Sequence, residues 1–551
     1  MNRPTNIARI KSEQFDLLII GGGITGAGIA LDAASRGLKT ALIERKDFAY
    51  GTSSRSTKLI HGGLRYLKQL EFGLVKEVGS ERAVVHKLAP HLVIPEKMLL
   101  PLYEKRGMGS TLTSIGLKLY DWLAGVKADD QRKMLTRQQT LKQEPLLNPS
   151  DVKGGAIYAE YRTDDARLTI EIMKAANFQG ASVCNYCEAQ DFIYQHQHVA
   201  GVTAVDHISG EIFFIRASVV VSAAGPWVDL LREKDHSKKG KHLHLTKGVH
   251  IVVPKEKLPV TQSIYFDVGD GRMIFAIPRG RITYIGTTDT NYNGNLDEVT
   301  IENADVEYLI KAVNQTFNQV NLTVDDIESG WAGLRPLINE EGKSASELSR
   351  KDEIFESPSG LISIAGGKLT GYRKMAERVV DLVIKKHFHH QKLKPCATEN
   401  LLLASPGFKN YDEVKKYIAV TAEKLKPFHL EQEAAYLVNN FGKQVDQILS
   451  YLSEFTDEDP AVRLAKAELK FCLENEMVIK PEDFFIRRTG LLYFDLPRLK
   501  KVIEPCLSYL ESQRGTVFSN ELVSQVEFRE LRRLGAGTEI PAPMQANGGV
   551  R

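Results

Sequence analysis

A glycine-rich turn between an apolar segment and a small-residue segment limits the folds open to this chain. The turn reads GGGITG, and Gly21, Gly23 and Gly26 occupy the positions of a G-x-G-x-x-G motif. The apolar run FDLLII at 15–20 predicts a buried parallel strand, and the residues after the turn predict a helix. KTALIE at 39–44 predicts a second strand. This strand–turn–helix–strand unit predicts an α/β fold that binds a dinucleotide.

Each glycine of the turn has a separate expected role. Gly21 permits the tight turn off the strand, Gly23 lets the backbone approach a pyrophosphate, and Gly26 lets the helix pack closely on the strand. The start of the helix offers N–H groups and a positive dipole end to phosphates. Glu44 ends the second strand and is expected to accept hydrogen bonds from ribose hydroxyls. A tight turn without a ligand is the alternative, which the surrounding strand, helix and acid disfavour.

Three features favour FAD over a nicotinamide cofactor. The motif begins the chain rather than following a substrate domain. Downstream, GTSSRSTKLIHGGLRYL at 51–67 is dense in Ser, Thr, Gly and basic residues. A second glycine pair, Gly366 and Gly367, lies at an expected strand-to-helix turn much later in the chain. A helix beginning there would direct its N-terminus at a flavin pyrimidine ring, where negative charge accumulates on reduction.

Several longer segments resemble aerobic, FAD-dependent glycerol-3-phosphate dehydrogenases, from about residue 14 to 535 and in the same order. They are IIGGGITGAGIALDAASRG, TSSRSTKLIHGGLRYL, GPWVDLL, KGVHIVVP, IGTTDT, GLRPL, GGKLTGYRKMAE and FIRRTGLL. The resemblance implies oxidation of sn-glycerol 3-phosphate to dihydroxyacetone phosphate by hydride transfer to flavin N5, with electrons passed on to quinone. A related branch delivers electrons to oxygen and makes hydrogen peroxide, which is the alternative function.

The same resemblance implies a fold and a location. We expect an α/β FAD-binding domain of the glutathione-reductase type (Rossmann-like), an antiparallel β-rich substrate domain and an all-α C-terminal domain. The FAD-binding domain is expected at 13–90, 150–250 and 325–390, the substrate domain at 91–149 and 251–324, and the helical domain at 391–535; residues 536–551 are expected to be a disordered tail. Peripheral attachment to the cytoplasmic face of the cell membrane is implied, and a homodimer stays open.

A small phosphate substrate calls for Arg and Lys, with Arg able to bind phosphate through two hydrogen bonds. Arg65, Arg335 and Lys368 are expected to form the anion-binding set, with Tyr66 beside them. Arg335 and Lys368 are also expected at the reacting centre. His250 is the candidate general base, because an ordinary histidine pKa near 6.5 suits proton acceptance at neutral pH. A histidine satisfied within a β-strand is the equally weighted alternative.

The residues expected to contact FAD come from six segments of the chain. They are Gly21, Gly22, Gly23, Ile24, Thr25, Gly26, Glu44, Arg45, Thr52, Ser53, Ser54, His61, Gly62, Gly63, Ala224, Gly225, Gly366, Gly367, Lys368, Leu369 and Thr370. Thr52, Ser53 and Ser54 are expected to donate hydrogen bonds to the cofactor. His61 is expected to position the flavin rather than to transfer a proton.

Composition and cysteine use exclude other classes. Seventy-two Lys and Arg against 69 Asp and Glu leave a formal charge of +3, which argues against a nucleic-acid-binding protein. The polar residues 1–14 predict no signal peptide, and no apolar run approaches the roughly 20 residues that span a bilayer. No metal signature is evident. Cys184 and Cys187 form a CxxC that is expected within one strand, with the two side chains on opposite faces.

Overall fold

The computed structural model describes residues 1–61, 72–103, 132–339, 352–404 and 406–515. Two β-sheets and a helical C-terminal part make up this portion of the chain. The strands are β1 (Phe15–Ile20), β2 (Thr40–Ile43), β3 (Leu59–Ile60), β4 (Ile94–Tyr103), β5 (Lys133–Thr136), β6 (Val152–Arg162), β7 (Ser182–Cys184), β8 (Cys187–Gln195), β9 (His198–Asp206), β10 (Ile212–Ser222), β11 (His242–Pro254), β12 (Ser263–Asp267), β13 (Met273–Arg279), β14 (Ile282–Gly286), β15 (Thr290–Asn291), β16 (Ser329–Asn339), β17 (Glu353–Glu356) and β18 (Ile362–Ala365).

The helices lie mainly around the first sheet and in the C-terminal part. They are α1 (Arg3–Ser12), α2 (Ile24–Arg36), α3 (Phe72–Leu88), α4 (Arg137–Gln143), α5 (Asp165–Phe178), α6 (Val228–Lys234), α7 (Asn303–Thr316), α8 (Tyr372–His387), α9 (Tyr411–Leu425), α10 (Ala434–Phe441), α11 (Val445–Tyr451), α12 (Pro460–Asn475), α13 (Leu491–Phe494) and α14 (Leu496–Arg514), with a π-helical turn at Asp483–Arg488. Within the described ranges, none of these helices has the length and apolar character to cross a bilayer.

The first sheet carries the glycine-rich turn. Its strands run in the order β17-β18-β10-β1-β2-β7, and β1 lies parallel to both β2 and β10. The side chains of β1 and β2 are almost entirely buried, as the apolar runs predict. Because β1, β2, β10 and β18 are parallel, their carboxyl ends meet at one edge, where α/β sheets bind their ligands. The predicted strand–turn–helix–strand unit is confirmed.

The second sheet has the order β15-β11-β14-β13-β12-β4-β6-β3, with β16 paired to β11 and β5 to β6. The segment PRGR at 278–281 has the composition of a hairpin turn, and a hairpin there joins β13 to β14. Strands β6, β11 and β16 fall in ranges expected for the FAD-binding domain, but all three pair in this second sheet. An apolar strand pattern indicates burial without indicating which sheet the strand joins. We propose that the division into domains follows the two sheets, with the chain passing between them repeatedly.

The C-terminal part is helical from α9 onward, as predicted. The helical apolar spacing of the sequence at 411–425 predicts one helix, which α9 matches. The similar spacing at 432–454 predicts a second helix, but the chain there divides into α10 and α11 at Gly442, which has a φ of +59°. The apolar cluster of these helices continues into the second sheet through Tyr284 and Trp331. The helical part therefore shares its core with the second sheet.

The CxxC prediction is wrong in one respect. Cys184 ends β7 and Cys187 begins β8, so the chain breaks between them rather than running as one strand. Tyr186, in the connection, has a φ of +53°, which turns the backbone out of the extended conformation. The sequence pattern did not reveal this turn because neither Asn185 nor Tyr186 is glycine or proline.

A buried ion cluster joins α5 to the C-terminal part. The guanidinium of Arg167 lies 2.6 Å from Glu476 and 2.8 Å from Glu171, and Lys174 lies within 3.0 Å of both carboxylates. Arg167 is only 1% exposed and also donates to the carbonyl of Asn440. Charges that are buried this completely are stable only when they are paired.

Replacing Arg167 with Met is expected to lower the free energy of unfolding by about 3–5 kcal/mol, because Glu171 and Glu476 lose a buried cation. Urea denaturation followed by circular dichroism measures the change. Lys415→Met is the control, since Lys415 pairs with Asp412 in an exposed i,i+3 pair, and its midpoint should match that of the parent. Equal midpoints for Arg167→Met and the parent would contradict the assignment.

Candidate active site

A cavity of about 290 Å³ opens at the carboxyl edge of the first sheet. The turn between β1 and α2, the end of β2, the 3₁₀ turn at Thr52–Ser54, the end of β10 and the turn after β18 surround it. The predicted cofactor residues that line this cavity are Gly21, Gly23, Ile24, Thr25, Glu44, Arg45, Thr52, Ser53, Ala224, Gly225, Gly366, Gly367, Lys368 and Leu369. Segments separated by more than 300 residues in sequence therefore meet at one cavity.

The glycines of the turn differ in what surrounds them. A Cβ on Gly26 would lie 2.0 Å from the carbonyl oxygen of Gly21, so α2 can pack on β1 only with glycine there. Gly21 itself has a φ of +116°, and a Cβ would meet the carbonyl oxygen of Ala223 at 2.5 Å. For Gly23, the nearest group is the hydroxyl of Ser53 at 3.1 Å. Protein packing thus explains Gly21 and Gly26, whereas Gly23 leaves room on the cavity side.

The carboxylate of Glu44 faces the glycine turn. It accepts hydrogen bonds from the backbone N–H of Gly22 at 2.7 Å and of Lys46 at 2.8 Å. Burial raises the pKa of the Glu44 carboxyl, although these two N–H groups act in the opposite direction. Beside it, Arg45 pairs with Asp297. Glu44 therefore stabilises the turn and also lines the cavity, where its role as an acceptor for ribose hydroxyls stays a prediction.

The hydroxyls of the 3₁₀ turn have protein partners. Thr52 donates to the carbonyl of Leu334 at 2.7 Å, and Ser53 accepts the N–H of Ile24 at 2.9 Å. Ser54 is buried, faces the carbonyls of Tyr50 and Gly51, and is not among the lining residues. Thr52 and Ser53 line the cavity, yet the contacts seen hold the turn against β16 and α2.

A second cavity, of about 350 Å³, adjoins the first. The two share Thr52, Ser56, Pro336, Gly367, Lys368 and Leu369 as lining residues. His61, His250, Arg335 and Thr370 line the second cavity, so the predicted base and two predicted cations are brought together. The hydroxyl of Thr370 donates to the carbonyl of His61 at 3.2 Å. A ligand held along the first cavity can therefore reach groups in the second.

His250 lies on β11 and is 2% exposed. Its Nε2 is 3.0 Å from the hydroxyl of Thr57, and its ring stacks on Trp331 with centroids 4.8 Å apart. Burial lowers the pKa of His250 well below 6.5, and the nearby charges of Arg335 and Lys58 lower it further. The imidazole is therefore neutral at neutral pH.

Arg335 lies on β16, opposite Thr246 of β11. Its guanidinium donates to the hydroxyl of Thr287 at 2.8 Å and to the carbonyl of Thr288 at 3.1 Å, and it pairs with Asp289 at 3.2 Å. These contacts fix the orientation of the guanidinium at the cavity. A guanidinium that is held in this way loses little rotational freedom when it binds an anion.

Sequence reasoning did not single out several residues of the second cavity. They are Arg55, Thr57, Glu160, Arg272, Thr287, Thr288 and Asp289. Arg55 and Thr57 belong to the Ser- and Thr-rich segment that follows Gly51, and Thr287 to Asp289 belong to IGTTDT, so the segments were recognised without these members. Glu160 and Arg272 carried no local motif.

Some predicted site residues lie elsewhere. Gly62, Gly63, Arg65 and Tyr66 fall outside the described residues. Gly22 and Gly26 belong to the turn but are not among the lining residues of either cavity. Their part in cofactor binding is therefore proposed to be indirect, through the shape of the turn.

The arrangement fits a flavin dinucleotide. The first turn of α2 lies at the cavity, and helix starts leave N–H groups for phosphates. The carboxylate of Glu44 in the cavity lining is chemically suited to accept hydrogen bonds from a ribose. Gly366 and Gly367 lead into a 3₁₀ turn at Leu369–Gly371 and then into α8, so a helix begins where the sequence predicts one, and its role beside a flavin ring stays a prediction. The cavity lining therefore offers a chemically suitable group for each part of FAD: N–H groups for the phosphates, a carboxylate for a ribose and a helix start for the flavin.

Gly23→Ala is expected to weaken FAD binding about tenfold or more while leaving the unfolding midpoint of the apoprotein unchanged, because its methyl group would point into the ligand space. Gly26→Ala is the comparison, and it should lower both, since its Cβ meets the Gly21 carbonyl. Fluorescence titration with FAD and thermal unfolding measure the two effects. Unaltered FAD affinity in Gly23→Ala would refute the role given to Gly23.

Comparisons with known proteins agree with this geometry. The family model described as FAD dependent oxidoreductase matches residues 16–373, and that of the C-terminal domain of alpha-glycerophosphate oxidase matches residues 396–516. The aerobic glycerol-3-phosphate dehydrogenase of Bacillus subtilis is 48% identical over 521 residues, covering 93% of this chain and 94% of that protein.

Solved structures give the same result. The glycerol-3-phosphate dehydrogenase from Bacillus halodurans, complexed with FAD, has a TM-score of 0.80 and 42% identity and covers 96% of each chain. Glycine oxidase from Bacillus cereus, at 22% identity and a TM-score of 0.51, shares the fold over 69% of this chain and all of its own. The predicted fold class and the FAD cofactor are confirmed. This chain belongs to the FAD-dependent oxidoreductases and, among them, to the family of aerobic glycerol-3-phosphate dehydrogenases.

Proposed function

We propose that this protein oxidises sn-glycerol 3-phosphate to dihydroxyacetone phosphate and passes the electrons to a quinone. The observation that carries the proposal is the position of Arg55, Arg335 and Lys368 around a cavity that joins the FAD cavity at Gly367. A phosphate ester with nearly two negative charges requires such cations. The names of the relatives support the same substrate.

The proposed binding residues place the substrate by charge and direction. Arg335 is oriented by Thr287, Thr288 and Asp289, so its guanidinium can bind a phosphate oxygen or the substrate hydroxyl with little loss of rotational freedom. Lys368 lines both cavities and would place a positive charge between the phosphate and the flavin. Arg65 and Tyr66 are proposed as further contacts from the segment after His61.

His250 is the proposed base. His250 lines the second cavity, with its Nε2 beside the hydroxyl of Thr57, and the neutral ring would accept the proton of the substrate hydroxyl there. Bound FAD supplies N5 as the hydride acceptor. The stacked Trp331 holds the ring plane, and burial excludes water from the side of the ring away from the cavity.

The quinone and the membrane are the less direct parts of the proposal. Quinones reside in the bilayer, so electron transfer to them requires contact with a membrane surface. We propose peripheral attachment at the cytoplasmic face, which the sequence resemblance implies and which transfer of electrons to a quinone in the bilayer requires. Measuring turnover with a soluble quinone and with oxygen alone separates the two acceptors. Stoichiometric hydrogen peroxide at an equal rate would favour the oxidase alternative.

Anaerobic addition of glycerol 3-phosphate is expected to bleach the flavin of the parent protein, and Arg335→Ala is expected to slow that reduction about 100-fold at subsaturating substrate, since a charged hydrogen bond is lost. Stopped-flow absorbance measures the rate. Arg281→Ala is the matched control, because Arg281 pairs with Glu328 on the same sheet and does not line the cavities. Absence of bleaching in the flavin-loaded parent would overturn the function.

His250→Asn should slow flavin reduction about 100-fold at neutral pH, the usual contribution of a general base. The pKa of His250 lies below 6.5 in the folded protein, so the base form is present at neutral pH and is lost only as the pH falls through that lower pKa. The parent rate should therefore stay constant from about pH 8 to about pH 6.5, and it should fall only at lower pH, as the pH passes through the lowered pKa of His250. An unchanged rate and profile in the variant would remove His250 from this role.

A further inference from the structure

The C-terminal part makes a buried ionic contact with the segment that carries Glu44. We propose that Arg487 and Arg488 are positioning residues for the adenosine half of FAD and act through Asp47. The C-terminal part would then set the FAD affinity of a cavity that none of its described residues lines. The inference rests on FAD as the cofactor of the proposed function.

Asp47 is completely buried and accepts hydrogen bonds on both oxygens. Arg487 donates from Nε at 2.6 Å, and Arg488 donates from Nη1 at 2.7 Å and from Nη2 at 2.9 Å. The amide of Asn185 adds a fourth bond at 3.0 Å. Both arginines belong to the π-helical turn at Asp483–Arg488, some 440 residues further along the chain. Because both carboxylate oxygens are bound, by two arginines and an amide, the orientation of Asp47 is fixed more closely than a single ion pair would fix it.

The segment from Glu44 to Ala49 transmits that contact to the cofactor cavity. Glu44 accepts the N–H of Gly22, and the N–H of Ala49 donates to the carbonyl of Gly22 at 3.0 Å. Phe48 is fully buried, and a Cβ on Gly22 would lie 2.8 Å from both Phe48 and Glu44. The glycine turn and this segment therefore pack as one unit, and Asp47 is its point of attachment to the C-terminal part.

A second set of contacts closes the unit on its other side. The N–H of Tyr186 donates to the carbonyl of Lys46 at 2.8 Å, and its hydroxyl donates to Asp483 at 2.7 Å. Asn185 donates to Asp47 and to the carbonyl of Met477. The connection between β7 and β8 thus lies between the Glu44 segment and the C-terminal part, and it touches both.

Arg487 also reaches the cavity wall. Its guanidinium lies 5.9 Å from the ring centre of Tyr50, which lines the FAD cavity, and it pairs with Asp483 at 2.6 Å. The charges of Arg488 and Arg487 outweigh burial and hold the pKa of Asp47 low. A buried carboxylate that loses one of these cations gains from moving toward water, which would carry Glu44 away from the ribose.

The test compares Arg488→Gln with Arg498→Gln in the full-length protein. Arg498 is also a buried arginine of the C-terminal part and pairs with Glu433 and Glu468, but the structure gives it no contact with the described residues of the Glu44 segment. Fluorescence titration of the apoprotein with FAD is the readout. We expect the dissociation constant to rise about tenfold or more in Arg488→Gln and to change less than about twofold in Arg498→Gln.

Hydrogen exchange on the parent keeps the inference testable if Arg488→Gln does not fold. Linkage requires that FAD, if coupled to this contact, stabilises the π-helical turn in return. Removing FAD should speed amide exchange at Asp483–Arg488 and leave α10 unchanged. Equal exchange at Asp483–Arg488 with and without FAD would overturn the inference.

The remaining outcomes are also decisive. Unchanged FAD affinity in Arg488→Gln, or an equal loss in Arg498→Gln, would mean that Arg488 stabilises the fold without positioning the cofactor. Failure of the parent protein to bind FAD would instead overturn the proposed function, before any variant is compared.

Discussion

The close approach of α2 to β1 at the glycine turn is the constraint on which the rest of the site depends. Gly26 packs against the carbonyl of Gly21, and Gly21 packs against that of Ala223 on β10. These contacts bring the end of a buried parallel strand and the start of a helix to one edge of the sheet. Glu44, the Thr52–Ser54 turn and the Gly366–Gly367 turn all lie around the cavity at this edge of the sheet.

The residues proposed to bind and oxidise the substrate lie in the second sheet. Arg335 lies on β16, and His250 lies on the neighbouring strand β11. In the pairing of these two strands, Arg335 is opposite Thr246 and Gly330 is opposite Ile251. The helical C-terminal part packs against these strands. Tyr493 and Phe494 contact the ring of Trp331, and Trp331 stacks on His250. The segment Asp483–Phe494 thus contacts the supports of both cavities, through Asp47 on one side and Trp331 on the other.

Local patterns predicted the elements that local physics controls. The strand at Phe15–Ile20, the helix that follows, the hairpin between β13 and β14 and the helix at Tyr411–Leu425 depend on burial period and turn chemistry, which nearby residues encode. The break at Asn185 and Tyr186 was missed because a positive φ at a tyrosine has no local signature. The sheet membership of β6, β11 and β16 was missed because partner choice depends on distant register.

The sequence by itself determined the strand–turn–helix unit around Gly21 to Gly26, which predicts a dinucleotide site, and, through resemblance, the family to which the chain belongs. Only the tertiary structure brought Arg55, Arg272 and Glu160 to the second cavity and joined Asp47 to Arg487 and Arg488. The physical reason is the separation along the sequence of the groups that each interaction joins. Glycine packing and the spacing of buried residues depend on residues close in sequence, whereas the buried ion pair joins groups some 440 residues apart that become neighbours only in the folded protein.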